Sequence, residues 1–183
     1  AWAFACVDWR DADLFELLAD AGAARASAMR DEQLSQLHLV TTHCRLEWPD
    51  RTFALAGCAD RLRAAYHRKE PTPSRLQHDV AAALDRLGWT HVSEHVTPDG
   101  FAIDMARPDA MCAVEVDGPS HYLKQHVPGP PGGSQYVANG GTRLKARLLR
   151  RLGWDVVHVP AFEWDRLKRA AEQEAYLRRK LGK

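Results

Sequence analysis

The chain is poor in the features that assign a protein at first sight. Only four cysteines occur in its 183 residues, Cys6, Cys44, Cys58 and Cys112, and none is in C-x-x-C spacing. A zinc-binding or disulfide framework therefore has little support, and buried free thiols are expected. No apolar run approaches the ~20 residues of a membrane-spanning helix, so no membrane partner is implied. Net charge is only +1, which gives no global argument for a polyanionic partner. The opening Ala-Trp-Ala-Phe-Ala-Cys is an apolar helical run with no initiator Met, cap or basic presequence. It reads as the C-terminal part of a longer protein whose targeting peptide lies out of view.

What is present describes an ordinary globular chain, 45% hydrophobic and 27% charged, long enough for one large or two small domains. Its charge is unevenly spread: nine basic and eleven acidic residues up to Glu70, then sixteen basic and thirteen acidic. Residues 1–70 read as helices without strand signals. Asp13 opens a run through Leu14, Phe15, Leu17 and Leu18, Asp31 one through Leu34, Leu37, Leu39 and Val40, and Arg51 one through Phe53, Leu55, Leu62 and Tyr66. Phe15-Glu-Leu17 and Phe53-Ala-Leu55 match at an offset of 38 residues, as do Cys6 and Cys44. Such a period is typical of stacked helical pairs, with an ordinary helical bundle as the alternative.

Residues 71–73 read as a linker, within Lys69-Glu-Pro-Thr-Pro73, and the pattern over 74–183 is mixed. Leu76, Val80, Leu84 and Leu87 mark an amphipathic helix capped by Ser74 and ended by Gly88. Strands are expected over 91–96, 101–106 and 111–117, with turns at 98–100 and 108–110. A loop rich in Gly and Pro follows from Gly118 to Gly141, then a basic helix, a fourth strand over 154–160 and a last helix to Leu181. The order α-β-β-β-α-β-α implies an α+β fold with a mixed sheet flanked by helices.

The run Val114-Glu-Val-Asp-Gly-Pro-Ser-His121 carries the chemistry. Strand side chains alternate, so Glu115 and Asp117 share a face, and Gly118-Pro119 ends the strand beside them. Asp104 on the preceding strand adds a third carboxylate. These acids either form a site or hold nearby arginines and histidines in a structural network. On the basic helix, Leu144, Leu148, Leu149 and Leu152 form one stripe that includes Lys145, a residue that needs a carboxylate partner if it faces inward. Arg143, Arg147, Arg150 and Arg151 lie on the other side, available to solvent or phosphate. His121 and Lys124 are candidates for phosphate, although a histidine at a turn is as often a local hydrogen-bonding group. Tyr122 and Tyr136 are candidates for stacking on unpaired bases. Trp164, flanked by Phe162 and Leu167, is expected in the core. The tail residues Arg178, Arg179, Lys180 and Lys183 are further candidates for phosphate.

Ile103-Asp104, Val114 to Tyr122, Asn139-Gly140-Gly-Thr142, Leu144-Lys145, Leu152-Gly153-Trp154, Val159-Pro160 and Glu163-Trp164 together resemble the RAP domain. This is a family of presumed RNA-binding domains at the C-termini of mitochondrial and chloroplast proteins. The preceding helices resemble the last, degenerate copies of an octatricopeptide-type array. The RAP family is similar in turn to the restriction-endonuclease-like fold, whose signature is an Asp on one strand and Glu-x-Lys on the next. Asp104 and Glu115 match it, whereas Asp117 stands where the lysine belongs, and Lys145 is the substitute that the resemblance offers. It implies RNA as partner, with ribosomal RNA and the neighbouring proteins of a ribonucleoprotein as one setting, and a mitochondrial or, alternatively, chloroplast location. An active nuclease would hold Mg²⁺ through Asp104, Glu115 and Asp117, with Lys145 stabilising phosphate charge. A protein-docking module with an inert nuclease fold is a further alternative.

Overall fold

The computed structural model describes residues 1–67, 73–127 and 133–182. The chain first forms α1 (Trp2–Cys6), α2 (Ala12–Arg25), α3 (Asp31–Glu47), α4 (Ala59–His67) and α5 (Arg75–Arg86). Strands β1 (Val92–Val96), β2 (Ala102–Arg107), β3 (Cys112–Asp117), β4 (Tyr122–Val127) and β5 (Gly133–Ala138) follow. The chain closes with α6 (Gly140–Arg151), β6 (Asp155–Pro160), α7 (Ala161–Trp164) and α8 (Ala170–Lys180). Two compact units result. One gathers α1–α4, the turn Pro98–Gly100 and α6, and the other gathers α5, the strands, α7 and α8. Most of the expected linker, residues 71 and 72, lies outside the described residues.

In the first unit, Phe15, Ala19, Leu34, Val40, Leu55 and Leu62 are buried. Asp11, rather than Asp13, caps α2, its Oδ1 accepting the Leu14 N–H at 3.0 Å. Asp13 sits in the first turn, where the helix dipole favours a negative charge. The helix expected from Arg51 starts later. Pro49 disfavours helical backbone at Trp48, Phe53 stays extended with its ring 5.8 Å from that of Trp48, and a 3-10 turn over Ala54–Cys58 leads into α4. The 38-residue offset consequently joins unlike positions: Phe15 is inside α2 while Phe53 precedes a turn, and Leu17 is exposed while Leu55 is buried. Helix α6 closes on α1, and a Cβ on Gly140 would stand 2.9 Å from Cys6 Cβ, so only glycine fits that approach without a shift.

In the second unit, β1, β2 and β3 are antiparallel neighbours and β6 pairs parallel with β3, giving the sheet order β1-β2-β3-β6. This is the mixed sheet that the sequence pattern implied. Helix α5 begins as expected, with Ser74 Oγ accepting the Gln77 N–H at 3.1 Å, and Gly88 follows its end at φ +67°. Val80, Ala83 and Leu84 of α5, Val114 and Val116 of β3, Val157 and Val159 of β6, and Tyr176 and Leu177 of α8 form one buried cluster. Trp164 joins that cluster at 3% exposure, so the core role expected for it holds.

Residues 118–141 are not the uninterrupted loop that their glycines and prolines suggest. Strands β4 and β5 form an antiparallel hairpin, in register from Tyr122 opposite Ala138 to Val127 opposite Gly133. Polar residues on both faces of Tyr-Leu-Lys-Gln-His-Val hide the alternation by which a strand is recognised.

Candidate nucleic-acid interface

Alternation along β3 gives Glu115 and Asp117 one face, and both are buried, at 6% and 2% exposure. Across the parallel pair, Glu115 stands in register with His158. Asp117 is a hub of donors: the Tyr122 hydroxyl donates to Oδ2 at 3.0 Å and His158 Nδ1 lies 2.7 Å from the same oxygen. His121 Nδ1 lies 3.3 Å from Oδ1. Burial of a carboxylate is offset by such donors. Burial, followed by the Asp117 charge, pushes the Tyr122 hydroxyl well above the usual phenol range, so Tyr122 remains a donor.

Asp104 has a different task. The register of β2 with β3 runs from Arg107 opposite Cys112 to Met105 opposite Val114. Two residues further along β3, the Val116 N–H is met by Asp104 Oδ2 at 2.6 Å. Asp104 Oδ1 accepts from Gln77 Nε2 at 2.8 Å. Both oxygens of Asp104 thus take amide donors, and Asp117 takes a tyrosine and two histidines. Such donors compete with a hard cation for the lone pairs of a carboxylate, and here they engage Asp104 and Asp117.

The hairpin places other candidates together. Lys124 is directly opposite Tyr136, and the two-residue period puts Tyr122 on the face that Lys124 occupies. Phe162, early in α7, joins them: the Tyr136 ring stacks on it at 4.3 Å with an interplanar angle of 13°, and Tyr122 meets it edge-on at 5.0 Å. Tyr136 is 40% exposed, and Lys124 and His121 are exposed as well. An aromatic pair with a lysine beside it can stack a base and neutralise its phosphate.

This constellation lies inside the part of the chain with recognisable kin. Residues 114–180 match the RAP domain. Over 153 residues the chain is also 31% identical to a "RAP domain-containing protein, chloroplastic" of Oryza sativa subsp. japonica, a match covering 81% of this chain and 22% of the rice protein. The chain therefore spans less than a quarter of that relative. The RAP match takes in β3 from Val114 onward, the hairpin strands, α6, β6 and α7, and reaches the last residue of α8.

The arginines of α6 within the RAP match do not share one role, contrary to expectation. Arg147 donates to the Ala5 carbonyl at 2.5 Å and its Nε lies 3.3 Å from Asp8 Oδ1. Arg151 donates to the Leu46 carbonyl at 2.9 Å and lies 3.4 Å from Glu47 Oε1. Both hold α6 within the first unit. Arg143 and Arg150 are exposed. Leu144, Leu148 and Leu149 are buried, with Leu152 and Lys145 half-buried. In the tail, Lys180 pairs with Glu163 at 3.0 Å, which also accepts from the Tyr176 hydroxyl at 2.7 Å. Arg178 and Arg179 are exposed, and Lys183 lies outside the described residues.

Sequence reasoning missed His158 and Gln77. His158 did leave a signal, as a polar residue within the otherwise apolar Val156-Val-His-Val159. Its partner depended on the parallel pairing of β3 with β6, which no local pattern encodes.

Proposed function

We propose that this segment binds RNA, as part of a longer organellar protein that stabilises, processes or assembles RNA. The observation that carries the reading is Tyr136 stacked on Phe162 with Lys124 opposite it on the hairpin, inside the RAP match. RAP-domain proteins are generally RNA-binding, which supports an RNA-associated role. The chloroplastic rice relative favours a chloroplast over the mitochondrion expected first. A ribonucleoprotein such as an organellar ribosome, with octatricopeptide-type helices preceding the RAP domain, belongs to the same proposal.

Within this reading the acids of β2 and β3 are a retired, restriction-endonuclease-like site rather than an active one. The donors that engage Asp104 and Asp117 favour that choice. Metal-dependent endoribonuclease activity is the rival.

The test uses fluorescence anisotropy with labelled single-stranded RNA, with and without Mg²⁺. Removing one stacked base contact costs roughly 1–3 kcal/mol, so Tyr136→Ala should weaken binding by about 5-fold to 150-fold. Lys124→Glu should weaken it further and reduce its salt dependence. Unchanged affinity in the double variant would remove the hairpin from the interface. Cleavage that requires Mg²⁺ and is lost in Asp104→Asn would establish the rival.

A further inference from the structure

The first unit contains a cluster that the RNA reading does not use. His43 and Glu47 are four residues apart on α3 and so share a face of the helix. Asp8, just beyond α1 at φ +59°, joins them. One ligand atom from each of the three lies within 4.8 Å of the others. Two carboxylates near a histidine are not in themselves a site, but His43 adds a second observation. It is fully buried, and neither ring nitrogen has a hydrogen-bond partner among the described residues. A buried polar group left unmet costs about 1–3 kcal/mol, so the ring calls for a ligand. Phe15 at 5.1 Å and Trp48 at 5.7 Å fix its plane.

The carboxylates already treat a cation as their ligand. Arg10 bridges them, with Nη2 3.0 Å from Asp8 Oδ2 and Nη1 3.4 Å from Glu47 Oε2. Its side chain is 53% exposed and can leave. Arg147 and Arg151 hold the other carboxylate oxygens, at 3.3 and 3.4 Å, as outer-shell donors do around metal ligands. Arg10 satisfies the acids but leaves His43 unmet. A metal ion would satisfy all three.

We propose that Asp8, His43 and Glu47 bind one divalent transition-metal ion, of the class that accepts one imidazole nitrogen and two carboxylate oxygens, by displacing Arg10. Zn²⁺ and Co²⁺ suit this donor set, whereas Mg²⁺ and Ca²⁺ prefer oxygen alone. The site is independent of the RNA reading.

The test is titration of the whole chain with Co²⁺, followed by visible d–d absorption, with Zn²⁺ competition. One equivalent should bind and be displaced by Zn²⁺. His43→Gln and Glu47→Gln should each weaken binding by about a hundredfold, no less than losing an outer-shell partner costs. Arg10→Ala alters an exposed side chain and should tighten binding several-fold, since the competing cation is gone. That gain keeps the test decisive even if His43→Gln folds poorly. The proposal is overturned if wild type and Arg10→Ala both bind no saturating equivalent. It is equally overturned by affinity that is unchanged or weaker in Arg10→Ala, or by a thiolate-to-cobalt charge-transfer band that assigns the ion to a cysteine.

Discussion

Replacing Asp104 separates a structural carboxylate from a catalytic one. Its Oδ2 takes the Val116 N–H at 2.6 Å and its Oδ1 takes Gln77 Nε2 at 2.8 Å. In Asp104→Ala the Val116 amide, on a residue only 8% exposed, loses its acceptor. An unmet buried donor costs about 1–3 kcal/mol. Gln77 is half-buried, and its Nε2 keeps a second acceptor, Glu94 Oε1 at 3.3 Å, so it adds little to the loss. A total of about 1–3 kcal/mol follows, a fall in Tm of about 2–12 °C for a chain of this size. Asp104→Asn keeps an oxygen for Val116 but turns an amide N–H₂ toward the Gln77 donor, for a loss of about 1 kcal/mol. Urea denaturation followed by circular dichroism should rank the proteins wild type, Asn, Ala. If both variants fall within about 0.5 kcal/mol of wild type, as substitutions at uninvolved surface positions do, Asp104 is not holding the strand end.

Two further outcomes concern the first unit. Burial pushes the Cys44 thiol up to about 12, so iodoacetamide should label the half-buried Cys58 well before Cys44 in native protein, and equal rates would contradict the packing of α3. His38 has its pKa lowered by burial against an opposing bond to the Asp99 carbonyl, so the unfolded chain binds its proton more readily. The stability it contributes is full above about pH 6.5 and falls as pH drops below that value. Urea midpoints between pH 7.5 and 5 should show this slope and a smaller one in His38→Gln, the remainder including His43, whose pKa is lowered for the same first reason.

Where the sequence was legible, local physics decided the matter. Ser74 and Gly88 bound α5 because capping and left-handed backbone are properties of single residues. The apolar runs that became β2, β3 and β6 could be placed within a residue or two for the same reason. Glu115 and Asp117 share a face because a strand has a period of two. What the carboxylates do was not legible. Asp104 meets the Val116 amide only because β2 lies beside β3, and Asp117 meets His158 only because β6 returns parallel to β3. Partners set by chain topology leave no spacing to read.

The arginines of α6 show the same limit, and they lead to a divided prediction. Helical periodicity puts Arg143, Arg147, Arg150 and Arg151 off the leucine stripe, as if all four served one purpose. Arg147 instead bonds Ala5, and Arg151 meets the Leu46 carbonyl in the last turn of α3, where a cation is favoured by the helix dipole. Reversing Arg143 and Arg150, both exposed, to Glu should weaken RNA binding. Losing two phosphate contacts should flatten the salt dependence of log K by about 1.4 for single strands. Arg147→Met should do the opposite. Its side chain is only 21% exposed, and loss of a hydrogen bond to a charged group should lower stability by about 1.5–3 kcal/mol, with the salt slope unchanged. A double Arg143/Arg150 variant that binds RNA with the wild-type slope would take α6 out of the interface. A stability loss in that variant as large as that of Arg147→Met would mean that the exposed arginines also brace the fold.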